Sequence, residues 1–182
     1  RKRSDIWTQA EDYILNRVRE SLVTEQVKGR QGLISEILKA DKIFIYGVGR
    51  SGIMSKAFAI RLVQLGLKVF FVGETITPIV EKNDLAIIVS NTGETMSAIQ
   101  TANIVRRLGA KVIAVTAKEH SKLAHAASQI IHIDVSRSPE DAAMAPLGTV
   151  SEVTTLVFFD SLIPEIMKKM KQSEANMRAR HA

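Results

Sequence analysis

Five short runs of Val, Ile, Leu and Phe limit most strongly what this chain can fold into. They lie at 42–46, 68–72, 85–89, 111–116 and 130–133. None alternates apolar with polar side chains, so none reads as a strand with one wet face. Continuous apolar strands of this length belong in a parallel sheet covered on both sides. Segments 51–65, 95–108 and 119–127 read as helices between the runs. Gly66 and Gly109 follow the first two, where a left-handed residue commonly ends a helix. A loop with Pro139, Pro146 and Gly148 leads to a long apolar helix over about 149–171. The pattern predicts one three-layer α/β/α domain around a five-stranded parallel sheet.

An N-terminal helical extension precedes the first run. Ile6, Ala10, Ile14, Val18 and Leu22 recur every fourth position and make one stripe of an amphipathic helix. Ser4 and Asp5 are candidate N-caps. Gly29 and Gly32 break the pattern, and 33–39 reads as a second, shorter helix. The stripe either packs inside the chain or faces a second copy. The long helix is apolar on most sides (Leu156, Val157, Phe158, Phe159, Leu162, Ile163, Ile166), which calls for cover beyond one sheet face. A homo-oligomer of at least two chains is therefore expected. The division is 1–40 extension, 41–172 ligand-binding domain and 173–182 tail.

Composition removes several function classes. The chain has 182 residues and is 46% hydrophobic, enough for a core without metal or disulfide support. It has no cysteine, which excludes thiolate catalysis, Fe–S clusters, Cys-ligated zinc and disulfides, and suggests a reducing, cytoplasmic setting. A net charge of +6 first suggests a polyanion partner. Residues 1–40 carry eight Lys/Arg against six Asp/Glu, 41–164 twelve against eleven, and 165–182 five against two. The excess thus sits at the ends, with Arg1, Lys2 and Arg3 prominent, and reads as a solvated fringe more than a nucleic-acid footprint. Aromatic residues make up only 5%, thin for base stacking. No apolar run reaches the roughly 18 residues that cross a bilayer, and no window has signal-peptide character. The missing initial Met points to a trimmed or altered start. Neither nucleic acid nor membrane is expected as a partner.

Two loops carry the chemistry. The first run ends in Gly47-Val48-Gly49-Arg50-Ser51-Gly52 and opens a helix, matching G-x-G-x-x-G. Glu74 lies 22 residues past Gly52, where a ribose-binding acid would stand, so an NAD-binding module is a rival reading. The third run ends in Ser90-Asn91-Thr92-Gly93-Glu94-Thr95 and also opens a helix. Its hydroxyls either cap that helix or join backbone N–H groups in holding an anion. In a doubly wound sheet of order 2-1-3-4-5 the first and third strands are neighbours, and the crevice between their carboxyl ends takes the ligand. Both loops would meet there. A small phosphorylated molecule uses both, whereas a dinucleotide leaves the second unexplained.

Four segments then resemble the SIS (sugar isomerase) domain family, and within it the 6-phospho-3-hexuloisomerases: 47–52, 72–78, 90–95 and 177–182. The 90–95 loop is similar to the family's S-x-S-G-x-T signature, with Asn91-Thr92 in place of the commoner Gly-Ser. The tail matches an ending that in the family runs on through Asn-Leu-Glu. Ser151 stands where the family more often has an aromatic residue. The resemblance implies a flavodoxin-like SIS fold and isomerisation of 3-hexulose 6-phosphate and fructose 6-phosphate without metal or other cofactor. That is a step of the ribulose monophosphate pathway, run toward formaldehyde fixation or pentose supply. A non-catalytic phosphosugar sensor and another aldose–ketose phosphate isomerase are the alternatives. The resemblance also implies that Gly49, Arg50, Ser51 and Ser90, Asn91, Thr92, Gly93, Glu94, Thr95 bind substrate, and that Glu152 is the proton acceptor.

Moving a carbonyl between C3 and C2 needs a base for the C2 proton and return of a proton to C3, which one carboxylate can do. Glu152 suits this, flanked by Val150 and Val153 where burial favours proton uptake. Its alternative role is electrostatic, at a helix N-terminus. The enediolate oxygen needs a donor, with Arg50, a backbone N–H or a histidine as candidates. His125 and His132 read as packing residues, His120 as able to reach the crevice. His181 is placed near the active site, its own or a neighbouring subunit's, against the alternative of a mobile terminus.

Overall fold

The computed structural model describes residues 5–23, 27 and 29–181. Arg1, Lys2, Arg3, Ser4 and Ala182, named above, lie outside the described residues.

The five apolar runs form one all-parallel sheet. Its strands are β1 (Ile43–Gly47), β2 (Val69–Phe71), β3 (Leu85–Val89), β4 (Lys111–Thr116) and β5 (Gln129–His132), in the order β2-β1-β3-β4-β5. Register is regular, with Ile43 opposite both Val69 and Leu85, and Leu85 opposite Lys111. Successive side chains point to opposite faces. One set, including Ile43, Ile45, Ile87, Ile113 and Ile131, faces a bulky layer. That layer comes from α2 (Arg30–Lys39), α3 (Gly49–Gln64) and α7 (Thr149–Met170). Phe58 of α3 and Phe159 of α7 stack there with centroids 4.2 Å apart. The other set, Phe44, Ala86, Ile88, Val112 and Ala114, faces α4 (Met96–Arg107) and α5 (Lys122–Ala126). This layer mixes alanines, such as Ala98 and Ala102 on α4, with larger side chains such as Ile99 and Leu123. The three-layer α/β/α architecture follows.

The flanking segments are not loose. Helix α1 (Ile6–Ser21) is capped by Asp5, whose side chain accepts from the Thr8 N–H at 2.8 Å, and it packs on α7. Its stripe is covered unevenly, since Val18 is buried and Ile6 is exposed. In α2, Leu33, Ile34 and Ile37 are fully buried. Gly32 does not break that helix but sits inside it, because the end of the Gln129 side chain crosses it. The tail forms α8 (Glu174–Arg178) with a Ser173–Asn176 capping box, and Met177 enters the bulky core. Helices α1, α2 and α3 cover α7 within the chain, so its apolar girth does not by itself demand a second copy. Among the described residues no helix is long and apolar enough to cross a membrane.

Candidate active site

Strands β1 and β3 are neighbours, and their connections leave to opposite faces through α3 and α4. Their carboxyl ends therefore open the crevice that the loop pattern predicted. Helix α3 starts two residues earlier than the sequence pattern suggests, so Gly49, Arg50 and Ser51 form its first turn. Gly47 and Gly52 are there for contact: a methyl on Gly52 would stand 2.5 Å from the Gly47 carbonyl oxygen. That close strand–helix approach explains the glycine pattern without a dinucleotide. Glu74, the candidate ribose acid, is paired instead with Lys56 at 2.7 Å.

The 90–95 loop is a tight cradle. Gly93, at φ +65°, donates its N–H toward Ser90 O at 3.2 Å and Ser90 Oγ at 3.1 Å. Thr95 occupies the N-cap position of α4, but its hydroxyl bonds Ser90 Oγ at 3.0 Å and caps no helix N–H. Helices α3, α4 and α7 all begin at the crevice without a side-chain cap; α2 and α6 (Asp141–Met144) also lack one, while α1, α5 and α8 have one. Uncapped first-turn N–H groups aimed at one crevice suit an anion. The Ser51 hydroxyl makes no hydrogen bond among the described residues.

The remaining loop side chains divide. Asn91 is half-buried and lines the cleft, and its Oδ1 is buried without a partner. Glu94 turns away: its carboxylate accepts from the Lys122 N–H at 3.1 Å and pairs with Lys122 Nζ at 3.1 Å. The Lys122 backbone and side-chain hydrogen bonds hold this carboxyl below its ordinary value. Thr92 and Glu94 share a separate open groove with Lys118 and His120.

Glu152 lies in the first turn of α7, its side chain 12% exposed, and accepts a hydrogen bond from Arg50 Nε. Sequence reasoning put these two residues in the site but did not pair them. Ser151, next to Glu152 in the chain, lines a cleft of about 300 Å³ with Asn91, Arg137 and Gly148. Its outer wall is the 134–148 segment with α6 (Asp141–Met144). Helix α1 clamps that wall. Tyr13 OH donates to Asp141 Oδ1 at 2.7 Å, Arg17 Nη1 to the same oxygen at 2.8 Å, and Arg17 Nη2 to the Ser136 carbonyl. Arg137 escaped the sequence reading because no motif flags a lone arginine in a loop.

His181 is not brought to this crevice. Arg180 beside it bonds the Gln64 carbonyl at 3.3 Å and lies against Gly66, at the far end of α3. The 16 residues of α3 span about 24 Å. His132 meets Glu119 at 3.3 Å, and His125 bonds the Ser121 carbonyl at 2.8 Å, as packing residues do.

The SIS domain family model matches residues 36–163. A Methanocaldococcus jannaschii protein named 3-hexulose-6-phosphate isomerase is 42% identical over 149 residues, covering 82% of this chain and 80% of its own. A Bacillus subtilis protein of the same name is 35% identical over 175 residues, covering 93% and 94%. A solved structure from Methanococcus jannaschii, for which that same activity was inferred, superposes with a TM-score of 0.81 at 37% identity, covering 95% of each chain. Sheet order, paired loops and these matches agree, and the chain belongs to the SIS domain family.

Proposed function

We propose that this chain interconverts 3-hexulose 6-phosphate and fructose 6-phosphate. One observation carries the reading. A largely buried carboxylate, Glu152, stands at the crevice where uncapped helix N-termini converge. The names of the relatives at 35–42% identity support the substrate.

The phosphate binds at the first turns of α3 and α4, held by backbone N–H groups and the Ser51 hydroxyl, with the 90–95 loop as cradle. Arg50 holds Glu152 in place. A Glu152 oxygen takes the proton from C2, the C–H pair becomes the C2–C3 double bond, and the carbonyl pair moves onto O3. The hydroxyl proton passes from O2 to O3. Charge on O2 then collapses to the new carbonyl while Glu152 returns its proton to C3. No electron leaves the substrate, so no redox cofactor is needed. His181 serves this chemistry only from a neighbouring subunit. A homo-oligomer in the cytoplasm, acting in the ribulose monophosphate pathway, fits this reading. Ile53 and Ile60, exposed seven residues apart on α3, support an interface there.

Glu152→Gln tests the assignment. The variant keeps its affinity for fructose 6-phosphate within a few-fold, while kcat falls by about 10²–10⁴. A near-wild-type kcat in a coupled assay from 3-hexulose 6-phosphate removes Glu152 as the base.

A further inference from the structure

The cleft lined by Val150 and Ser151, the residues just before Glu152, has a group that the proton transfer leaves unused. On the outer wall stands Arg137. Its backbone is tied on both sides: Ser136 O accepts from Arg17, and Ser138 N–H donates to Asp141 Oδ2 at 2.9 Å. Its guanidinium is exposed and has no hydrogen-bond or ion-pair partner among the described residues. A fixed backbone carrying a free cation keeps the charge at the cleft without a competing carboxylate. The neighbouring charges are already spent, Arg17 on Asp141 and Arg50 on Glu152.

The α3 and α4 first turns supply the N–H donors that the proposed phosphate site uses, so phosphate does not require Arg137. Arg137 lines the cleft together with Leu147, Gly148 and Ser151, and this stretch leads into Glu152. With Arg50 committed to the base, the enediolate oxygen lacks a cation. We infer that Arg137 is that cation: it donates to the oxygen on which charge develops. This rests on the isomerase reading above and adds a catalytic contact to it.

The test uses the full chain, with inorganic phosphate and a pentonate 5-phosphate as probes. The carboxylate carbon of the pentonate stands where C2 of a hexulose phosphate would lie, so its charge falls at the enediolate position. Wild type binds the pentonate more tightly than inorganic phosphate. Arg137→Gln loses about tenfold or more in pentonate affinity and less than twofold for inorganic phosphate, and its kcat drops about 10²-fold. Arg137→Lys recovers part of both. Unchanged pentonate binding in Arg137→Gln, or an equal loss for both probes, overturns the inference; the equal loss would assign the cation to the phosphate. Wild type that holds the pentonate no better than phosphate overturns it too. Wild type that binds the pentonate selectively through Arg137 but turns over no hexulose phosphate leaves the contact standing and refutes the isomerase reading.

Discussion

Gly93→Ala isolates how the 90–95 loop, the proposed phosphate cradle, is built. Gly93 has φ +65°, and a methyl there would stand 2.0 Å from Ser121 Oγ and 2.4 Å from Ser121 Cβ. Ser121 cannot simply swing aside. It is 3% exposed, its Oγ caps α5 by accepting from Ala124 N–H at 3.3 Å, and it donates to the Lys118 carbonyl at 2.9 Å. Left-handed backbone costs a non-glycine residue about 1–2 kcal/mol. Loss of a serine cap costs about 1 kcal/mol, and overpacking about 1–3 kcal/mol. Together the variant should lose about 3–6 kcal/mol, a large share of the roughly 5–15 kcal/mol typical of a domain. Urea denaturation reads this as a lower midpoint at unchanged slope. Adding Ser121→Gly removes the clash but not the backbone strain or the lost cap, so about half should return. Phosphate affinity should fall with Gly93→Ala, since the Gly93 N–H bonds to Ser90 help to shape the loop. A Gly93→Ala protein within 1 kcal/mol of wild type, or one that Ser121→Gly fails to help, refutes the reasoning.

Two further outcomes follow from the same geometry. Gly52→Ala drives a methyl onto a β1 carbonyl that cannot yield and should cost about 3 kcal/mol or more. Gly32→Ala, whose methyl meets only the flexible end of Gln129, should stay within about 1 kcal/mol of wild type in the same urea titration. Asp141 gives an acid-limb test. Burial pushes its carboxyl up, but the Tyr13 hydroxyl, the Ser138 N–H and Arg17 outweigh burial and hold it below its ordinary 3.8. Its contribution is therefore present above that value and lost as pH falls through the lower folded pKa. Asp141→Asn should lower stability at neutral pH by about 1–3 kcal/mol and flatten the decline below pH 4; a decline as steep as wild type's would count against the clamp.

The sheet was legible because its five runs are mostly apolar without alternation, and the order 2-1-3-4-5 of a doubly wound sheet is the one that brings the two glycine-bearing loops together. Strand ends fell within about a residue of the pattern. What the pattern lacked were contacts between distant residues. Glu152 and Arg50 are 102 positions apart, and Tyr13 and Asp141 are 128 apart. Periodicity carries no information about such pairs. The tail read as a terminus because α8 is one short turn held by a capping box and a single buried methionine. Glu94 was grouped with its loop neighbours, yet its side chain answers to α5, since adjacent residues on a turn face different ways.

The alanine layer between the sheet and α4 has a bearing on how such a protein can change its preferences. Small side chains at Ala86, Ala114, Ala98 and Ala102 bring that helix near the strands, and the start of α4 adjoins the 90–95 loop proposed above to cradle phosphate. Closely packed methyls leave no slack, so adding one carbon there would displace the whole helix and with it the cradle. The opposite face, filled by stacked phenylalanines and branched chains, has more rotamers through which to absorb the same carbon. Ligand reach could therefore be retuned from positions that never touch a ligand, and from one side of the sheet more readily than from the other.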